Sequence, residues 1–261
     1  MRRIVSVVPS ITETLCHFGL QNEVVGCTSF CVEPLSLRRT AASIGGTKDA
    51  SIEKIAALEP SHILVNSEEN TAEFIASAKK YASLKNIKLI ETFPVNAQDS
   101  IAMVLKLAET FSFQAKAADW AQQTNAELQK TIALAKLLEN RNYAYFIWRE
   151  PWMVAGNRSY ISNMLSLLGL KNIFQTGDSP HERYPAVSET DAKFASCRYI
   201  FFSSEPFPFR ERHMDEFLSL SKSKAMCMKV DGQALSWYGS RTLQGLVYLR
   251  DLASSLLEND S

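Results

Sequence analysis

The segment Ser112-Phe113-Gln114-Ala115-Lys116-Ala117-Ala118-Asp119-Trp120-Ala121-Gln122-Gln123-Thr124-Asn125-Ala126-Glu127-Leu128-Gln129-Lys130-Thr131-Ile132-Ala133-Leu134-Ala135-Lys136-Leu137-Leu138-Glu139-Asn140 decides the architecture. Its apolar positions Ala117, Trp120, Ala121, Leu128, Ile132, Ala135 and Leu138 follow three- and four-residue steps, the period of one helix face. It holds neither Gly nor Pro, and at the helical rise it would span roughly 40 Å. On its N-terminal side, strand-sized apolar segments at 4–8, 24–28, 63–66 and 88–93 alternate with helical ones at 13–18, 52–58, 72–81 and 100–108. On its C-terminal side the alternation resumes, with segments at 143–148, 159–168, 173–174, 199–203, 225–230 and 243–257. Strand alternating with helix implies parallel sheets covered on both faces through right-handed crossovers. The expected fold is therefore α/β: two parallel-sheet α/β lobes, residues 1–110 and 142–261, bridged by one long α-helix at 111–141.

The halves echo each other. Leu15-Cys16-His17-Phe18-Gly19-Leu20-Gln21-Asn22 resembles Ser166-Leu167-Leu168-Gly169-Leu170-Lys171-Asn172, each a helix end with Gly where a left-handed residue is needed. Residues 51–67 and 188–204 share a second layout, a helix feeding a strand. Ser10-Ile11-Thr12-Glu13 reads as a capping box, and Ser188-Glu189-Thr190-Asp191 as the same layout with Asp at the last position.

Composition sets the class. The chain has 261 residues, 46% hydrophobic and 21% charged, which excludes a disordered chain, a fibre or a disulfide miniprotein. Lys+Arg and Asp+Glu are both 28, so there is no general electrostatic pull toward nucleic acid or anionic lipid. No apolar run approaches the length of a membrane span. Met1-Arg2-Arg3 leads at once into a short apolar segment without a cleavage site, which reads as a cytoplasmic chain, or as a periplasmic one whose export segment has been removed. The five cysteines are an odd count without a C-x-x-C pair and read as small core hydrophobes.

In open α/β sheets, ligands sit beyond the carboxyl ends of the strands. Pro9-Ser10, then Phe30, Cys31 and Pro34, then Glu68, Glu69 and Asn70 follow the first three strands. In the second half come Trp148-Arg149-Glu150-Pro151-Trp152, Glu205-Pro206-Phe207-Pro208-Phe209 and Ser236-Trp237-Tyr238-Gly239. Three of the four tryptophans lie on these ends, with Phe30 and Tyr184, which suits a large, flat, partly apolar ligand. Nucleotide, zinc-protease and hydrolase signatures are absent, and Gly45-Gly46-Thr47-Lys48 has the wrong order for a phosphate loop. No metal site of the protein's own is expected. His17, His62 and His213 read as structural or surface residues, while His181 lies in a turn-rich loop from which it would reach a ligand metal. An enzyme using the same strand ends would draw on Glu69, Glu150 and His181.

Arg3-Ile4-Val5-Ser6-Val7-Val8-Pro9-Ser10-Ile11-Thr12-Glu13 is similar to the opening of the class III substrate-binding proteins of ABC importers, the helical-backbone metal receptors for vitamin B12 and ferric siderophores. The likeness continues in order through Val24-Val25-Gly26, Gly45-Gly46-Thr47, 52–60, Tyr184-Pro185-Ala186-Val187-Ser188 and Ser236-Trp237-Tyr238-Gly239-Ser240-Arg241-Thr242. Its nearest likeness within the family is to the cobalamin-binding members. The resemblance implies a non-catalytic receptor that holds cobalamin or a related chelate between its lobes as ligand, with no catalytic cofactor. Phe30 and Tyr184 lie where the family places aromatics facing the corrin, and 233–237, with Gln233, Ser236 and Trp237, aligns with its ligand loop. Position and ring size add Trp148, Trp152 and Tyr238. A heme or ferric-siderophore ligand would instead call for an Arg cluster, for which Arg149, Arg158, Arg183 and Arg241 are the candidates. The resemblance also implies docking of one acidic residue per lobe onto an ABC permease. Glu53 matches the first by its setting; Glu189 is one position from the second, which Thr190 occupies. A monomer is expected, and a chain without export would handle cobalamin inside the cell.

Overall fold

The computed structural model describes residues 2–177, 182–221 and 223–258. The chain forms two units. One comprises Met1–Pro94, Asp99–Ala121 and Tyr238–Arg241, the other Val95–Gln98, Gln122–Trp237 and Thr242–Ser261.

The first unit begins with β1 (Ile4–Ser6), wholly buried, followed by α1 (Pro9–His17). Then come β2 (Val24–Cys27), β3 (Ala42–Ser43), α2 (Ile52–Ala57), β4 (His62–Asn66), α3 (Ala72–Lys85), β5 (Lys88–Thr92) and α4 (Ala97–Phe111). All five strands are parallel, in the order β3-β2-β1-β4-β5, with Val5 opposite Ile63 and Ile63 opposite Leu89. On one face of the sheet Val5, Val7, Ile63 and Val65 pack against Ile55, Phe74, Ile75 and Ala78, and the alternating Ile4 and Leu64 are buried on the other.

The division between units falls inside α5 (Gln114–Ala133). The helix expected over residues 111–141 is thus shorter, 20 residues or about 30 Å. It ends before Leu134, and a separate turn, α6 (Ala135–Leu138), follows.

The second unit continues with β6 (Asn142–Trp148), β7 (Met153–Val154), α7 (Tyr160–Ser166), β8 (Lys171–Asn172), β9 (Tyr199–Ser203), α8 (Glu211–Ser221), β10 (Met226–Val230), α9 (Gly232–Ser236) and α10 (Thr242–Glu258). The sheet runs β10-β9-β6-β7, with β8 also on β6. Its core is aromatic: Phe146, Trp152, Phe194, Phe202, Phe209 and Phe217 are all buried together.

The internal echo is topological. In the first unit β1 pairs in parallel with β2 and β4, and β4 with β5. In the second, β6 pairs in parallel with β8 and β9, and β9 with β10. Gly19 and Gly169, at the ends of α1 and α7, have φ of 91° and 77°. The repeat is broken by β7, which is antiparallel to β6 and also meets Ala186 in an antiparallel bridge.

Some local expectations change. Helix α1 starts at Pro9 with Val8 as its N-cap, so Ser10 lies inside the first turn and the capping box does not form; Thr12 bonds back to the Val8 carbonyl. In 188–191 the cap is Asp191, which accepts from Lys193 N–H at 2.9 Å. The strand placed at 173–174 is Lys171–Asn172, two residues earlier. No helix is expected at α8 or α9, yet α8 carries an apolar stripe, with His213 and Phe217 buried and Met214 packed against the core.

Candidate functional site

In the first unit, β1, β2, β4 and β5 end on one edge of the sheet. The turn after β4 is built by two asparagines. Asn70 Oδ1 accepts from Asn66 N–H at 2.8 Å, and the Asn70 amide donates to the carbonyls of Val7 and Thr47 at 3.1 and 2.7 Å. Asn66 Oδ1 accepts from the N–H groups of Glu68 and Glu69 at 2.8 and 3.0 Å. These bonds fix the backbone that carries both glutamates at the strand end. Phe30, in the turn after β2, is 59% exposed, so its ring is available to a ligand.

Tyr238–Arg241 belongs to this unit although it lies near the C-terminus. Gly239 N–H donates to Ser100 Oγ at 2.7 Å, Ser240 N–H to Thr14 Oγ1 at 2.9 Å, and Trp120 Nε1–H to the Ser240 carbonyl at 3.2 Å. Arg241 Nε donates to Glu13 Oε2 at 2.6 Å. Tyr238 is buried and its hydroxyl donates to Glu69 Oε1 at 2.6 Å. Burial, and then the Glu69 carboxylate beside it, push the phenol well above its ordinary pKa, so it remains a donor. The geometry makes Tyr238 and Arg241 parts of a latch that seats the strap on α1 and α5. The sequence signals for that latch are Thr14, Ser100 and Trp120, none of which stands out as a site residue.

In the second unit, Trp148 ends β6, is 40% exposed and meets Phe207 edge to face at 5.8 Å. Trp152, expected at the ligand, is instead a core side chain: it is 8% exposed and stacks on Phe209 at 6.0 Å. Trp152 lies in the turn just before β7, which pairs back on β6, and its indole joins the aromatic core. Arg149 beside it bonds Glu150 and Glu216 and lies 5.6 Å from the Trp152 ring. Half-buried Tyr184 sits on a segment laid along β7, where Gly156 N–H donates to the Arg183 carbonyl at 2.7 Å and Val154 N–H to the Pro185 carbonyl at 3.1 Å.

Beyond β9 and β10, Trp237 Nε1–H donates to Glu205 Oε1 at 2.7 Å. Asp231 caps α9 by accepting from Ala234 N–H, and Ser236 Oγ donates to the Gly232 carbonyl at 2.6 Å. Gln233 lines a pocket of about 480 Å3 with Ser204, Glu205, Lys229, Asp231 and Tyr248. Ser236 is thus turned into its own helix, while Gln233 faces open space at the strand ends.

Glu53 lies in the first turn of α2 and is exposed. Ser51 Oγ donates to its carboxylate at 2.7 Å, and this bond, with a backbone N–H, holds the carboxyl below its ordinary pKa. Glu189 is half-buried on a turn at the rim of a second pocket, of about 340 Å3, formed with Arg149, Glu150, Trp152, Glu216 and Leu220. His181 lies outside the described residues. Among the described residues no group of three or more His, Cys, Asp or Glu is arranged to hold a metal ion, and no helix is long and apolar enough to cross a membrane.

Known proteins were compared with this chain. An uncharacterised ABC transporter substrate-binding lipoprotein, YvrC of Bacillus subtilis, is 25% identical over 179 residues, 66% of this chain and 55% of that protein. The chain therefore spans little more than half the length of the curated relative it matches. The periplasmic vitamin B12-binding protein BtuF of Vibrio cholerae has a similar fold, with a TM-score of 0.76 at 19% identity over 98% of this chain and 97% of that one. So has the periplasmic heme-binding protein RhuT of Roseiflexus, with a TM-score of 0.77 at 20% identity over 98% of both chains. Residues 4–224 match the periplasmic binding protein family throughout, and the chain belongs to that family.

Proposed function

We propose that the chain is a non-catalytic substrate-binding protein of an ABC importer and that its ligand is a cobalamin-like corrinoid. Family membership supports the first part. The charge of the strand ends carries the second. The residues that follow the strands include Glu68 and Glu69 in the first unit and Glu150, Glu205 and Asp231 in the second. Of the four candidate arginines, Arg149 is paired with Glu150 and Glu216, Arg241 with Glu13, and Arg183 is buried at 6% exposure, while Arg158 is exposed. Carboxylates at these strand ends disfavour heme propionates and acidic ferric siderophores. Corrin side arms are neutral amides, whose N–H groups carboxylates accept from and with which Gln233 both donates and accepts, without that penalty. Phe30, Trp148, Tyr184 and Trp237 supply the aromatic faces for the macrocycle.

A family of periplasmic binding proteins and a lipoprotein relative support work outside the cytoplasm, with Glu53 and Glu189 offered to a permease. The enzyme alternative is weakened by its own candidates, because Glu69 accepts the Tyr238 hydroxyl and Glu150 is paired with Arg149. The test is retention. Protein mixed with cyanocobalamin, hemin or a ferric tricatecholate is passed over a desalting column, and the visible spectrum of the protein peak is read. Corrinoid absorbance in that peak, without heme or iron-chelate bands, is expected; retention of hemin alone overturns the ligand assignment.

A further inference from the structure

Glu205 stands two residues beyond β9, on a backbone that is tied down on several sides. Ser204 N–H donates to the Val230 carbonyl at the end of β10, at 2.9 Å, and Gly232 N–H donates to Ser204 Oγ at 2.9 Å. Behind them, the buried Tyr145 hydroxyl donates to Ser203 Oγ at 3.1 Å. The seat of the side chain is made by the missing side chain of Gly232. A Cβ built there would lie 2.8 Å from Glu205 Cγ and 2.4 Å from Ser203 Oγ. From this seat Glu205 Oε1 accepts from Trp237 Nε1–H at 2.7 Å. Trp237 closes α9, its backbone N–H donating to the Gln233 carbonyl at 3.0 Å. The segments that leave the neighbouring strands β9 and β10 are thus joined by a bond between a carboxylate and an indole.

The strand-end carboxylates of the second unit differ in how their charge is met. Glu150 is paired with Arg149. Asp231 is exposed, where solvent and salt screen it, and it caps α9. Glu205 is half-buried, and among the described residues it forms no ion pair: the bond it makes goes to a neutral N–H. Lys229 lines the same pocket but is exposed and is not paired with it. An unneutralised charge therefore sits beside an aromatic ring at the strand ends. We propose that Glu205 is the specificity-determining residue of the second unit. One oxygen of its carboxylate holds the Trp237 indole, and its charge keeps anionic chelates off that ring. The inference rests on the corrinoid reading above and assigns its selectivity to one side chain. The two roles are separable. A carboxamide oxygen accepts from an indole N–H as a carboxylate does, so glutamine keeps the hold and removes the charge, whereas alanine removes both.

The test uses the full chain and the variants Glu205→Gln and Glu205→Ala, each shown to be folded by circular dichroism. The hold is read first, without ligand, by nuclear magnetic resonance of protein isotope-labelled at tryptophan. The Trp237 indole N–H is assigned from its loss in Trp237→Phe, and its exchange with solvent is followed. Exchange should be slow in the unsubstituted protein, faster in Glu205→Ala and slow again in Glu205→Gln. Exchange in Glu205→Ala as slow as in the unsubstituted protein overturns the hold. The charge is read by titration with cyanocobalamin, a strongly anionic ferric tricatecholate and a neutral ferric trihydroxamate. In Glu205→Gln the preference for cyanocobalamin over the tricatecholate should fall about tenfold, the size of one poorly screened charge, while the preference over the trihydroxamate falls far less. An unaltered preference, or an equal fall against the neutral chelate, overturns the charge role and leaves the corrinoid reading standing. Unsubstituted protein that binds no cyanocobalamin overturns that reading and this inference with it.

Discussion

Replacing Gly239 by alanine tests how the Tyr238–Arg241 strap is held. Gly239 has φ of 83°, where an L side chain is strained, and a Cβ built there would lie 2.1 Å from Thr14 Oγ1. Two costs follow. The left-handed backbone costs about 1–2 kcal/mol for a non-glycine residue. The Thr14 hydroxyl must also move, which removes the acceptor of the buried Ser240 N–H, and a buried donor left unpaired costs about 1–3 kcal/mol. A middle value of about 3 kcal/mol lowers Tm by roughly 6–12 °C for a chain of this size. The assay is thermal unfolding followed by far-ultraviolet circular dichroism, with Thr14→Ala and the double variant alongside. Thr14→Ala takes away both the acceptor and the clash, so the double variant should be less destabilised than the two singles combined, by about 1–2 kcal/mol of coupling. A Gly239→Ala protein that melts within about 1 °C of the unsubstituted protein refutes the reasoning.

Other expectations follow from the same contacts. Trp152→Ala should cost about 3–5 kcal/mol in urea unfolding, because the indole is part of the aromatic core; a loss below about 1 kcal/mol contradicts the core assignment. Phe30→Ala should leave stability within about 0.5 kcal/mol, since the ring is exposed, while weakening corrinoid affinity up to about tenfold; unchanged affinity by fluorescence titration removes Phe30 from the ligand face. In an alkaline titration, Tyr143, Tyr145 and Tyr238 should stay protonated while the fold persists, because burial raises all three above their ordinary value. The unfolded chain releases those protons first, so their contribution is fully present below about pH 10 and falls as pH rises beyond it. All eight tyrosines ionising together near pH 10 in protein that keeps its near-ultraviolet dichroism would contradict this.

The fold was legible because its signals are local and redundant. Short apolar segments such as 4–8 and 199–203 are buried on both sheet faces, and the absence of Gly and Pro over 112–140 marks the helix between two alternating halves. Gly19 and Gly169 marked matching helix ends because only a residue without a side chain takes those φ values cheaply. Residue numbers along a strand end, however, do not say which way a side chain turns. Trp148 and Trp152 are four residues apart, yet the first, at the end of β6, is exposed and the second, just before β7, lies in the aromatic core. Tyr238 and Arg241 carry the composition of a ligand loop, but their partners Glu69 and Glu13 lie more than 160 residues away, and no local pattern reveals such pairings. The Asn66–Asn70 turn is half legible: Glu68, Glu69 and Asn70 stand out as strand-end residues, but nothing local shows that Asn66 and Asn70 hold the backbone there.

The central claim is that the acidic, aromatic strand ends take a neutral corrinoid rather than an anionic chelate. Isothermal titration of the purified chain with cyanocobalamin, run beside hemin and a ferric siderophore, measures this directly. The account predicts saturable one-to-one binding of cyanocobalamin at micromolar or tighter affinity and much weaker heat from the two anionic ligands. Saturable binding of hemin or the ferric siderophore, with no heat from cyanocobalamin, would contradict it.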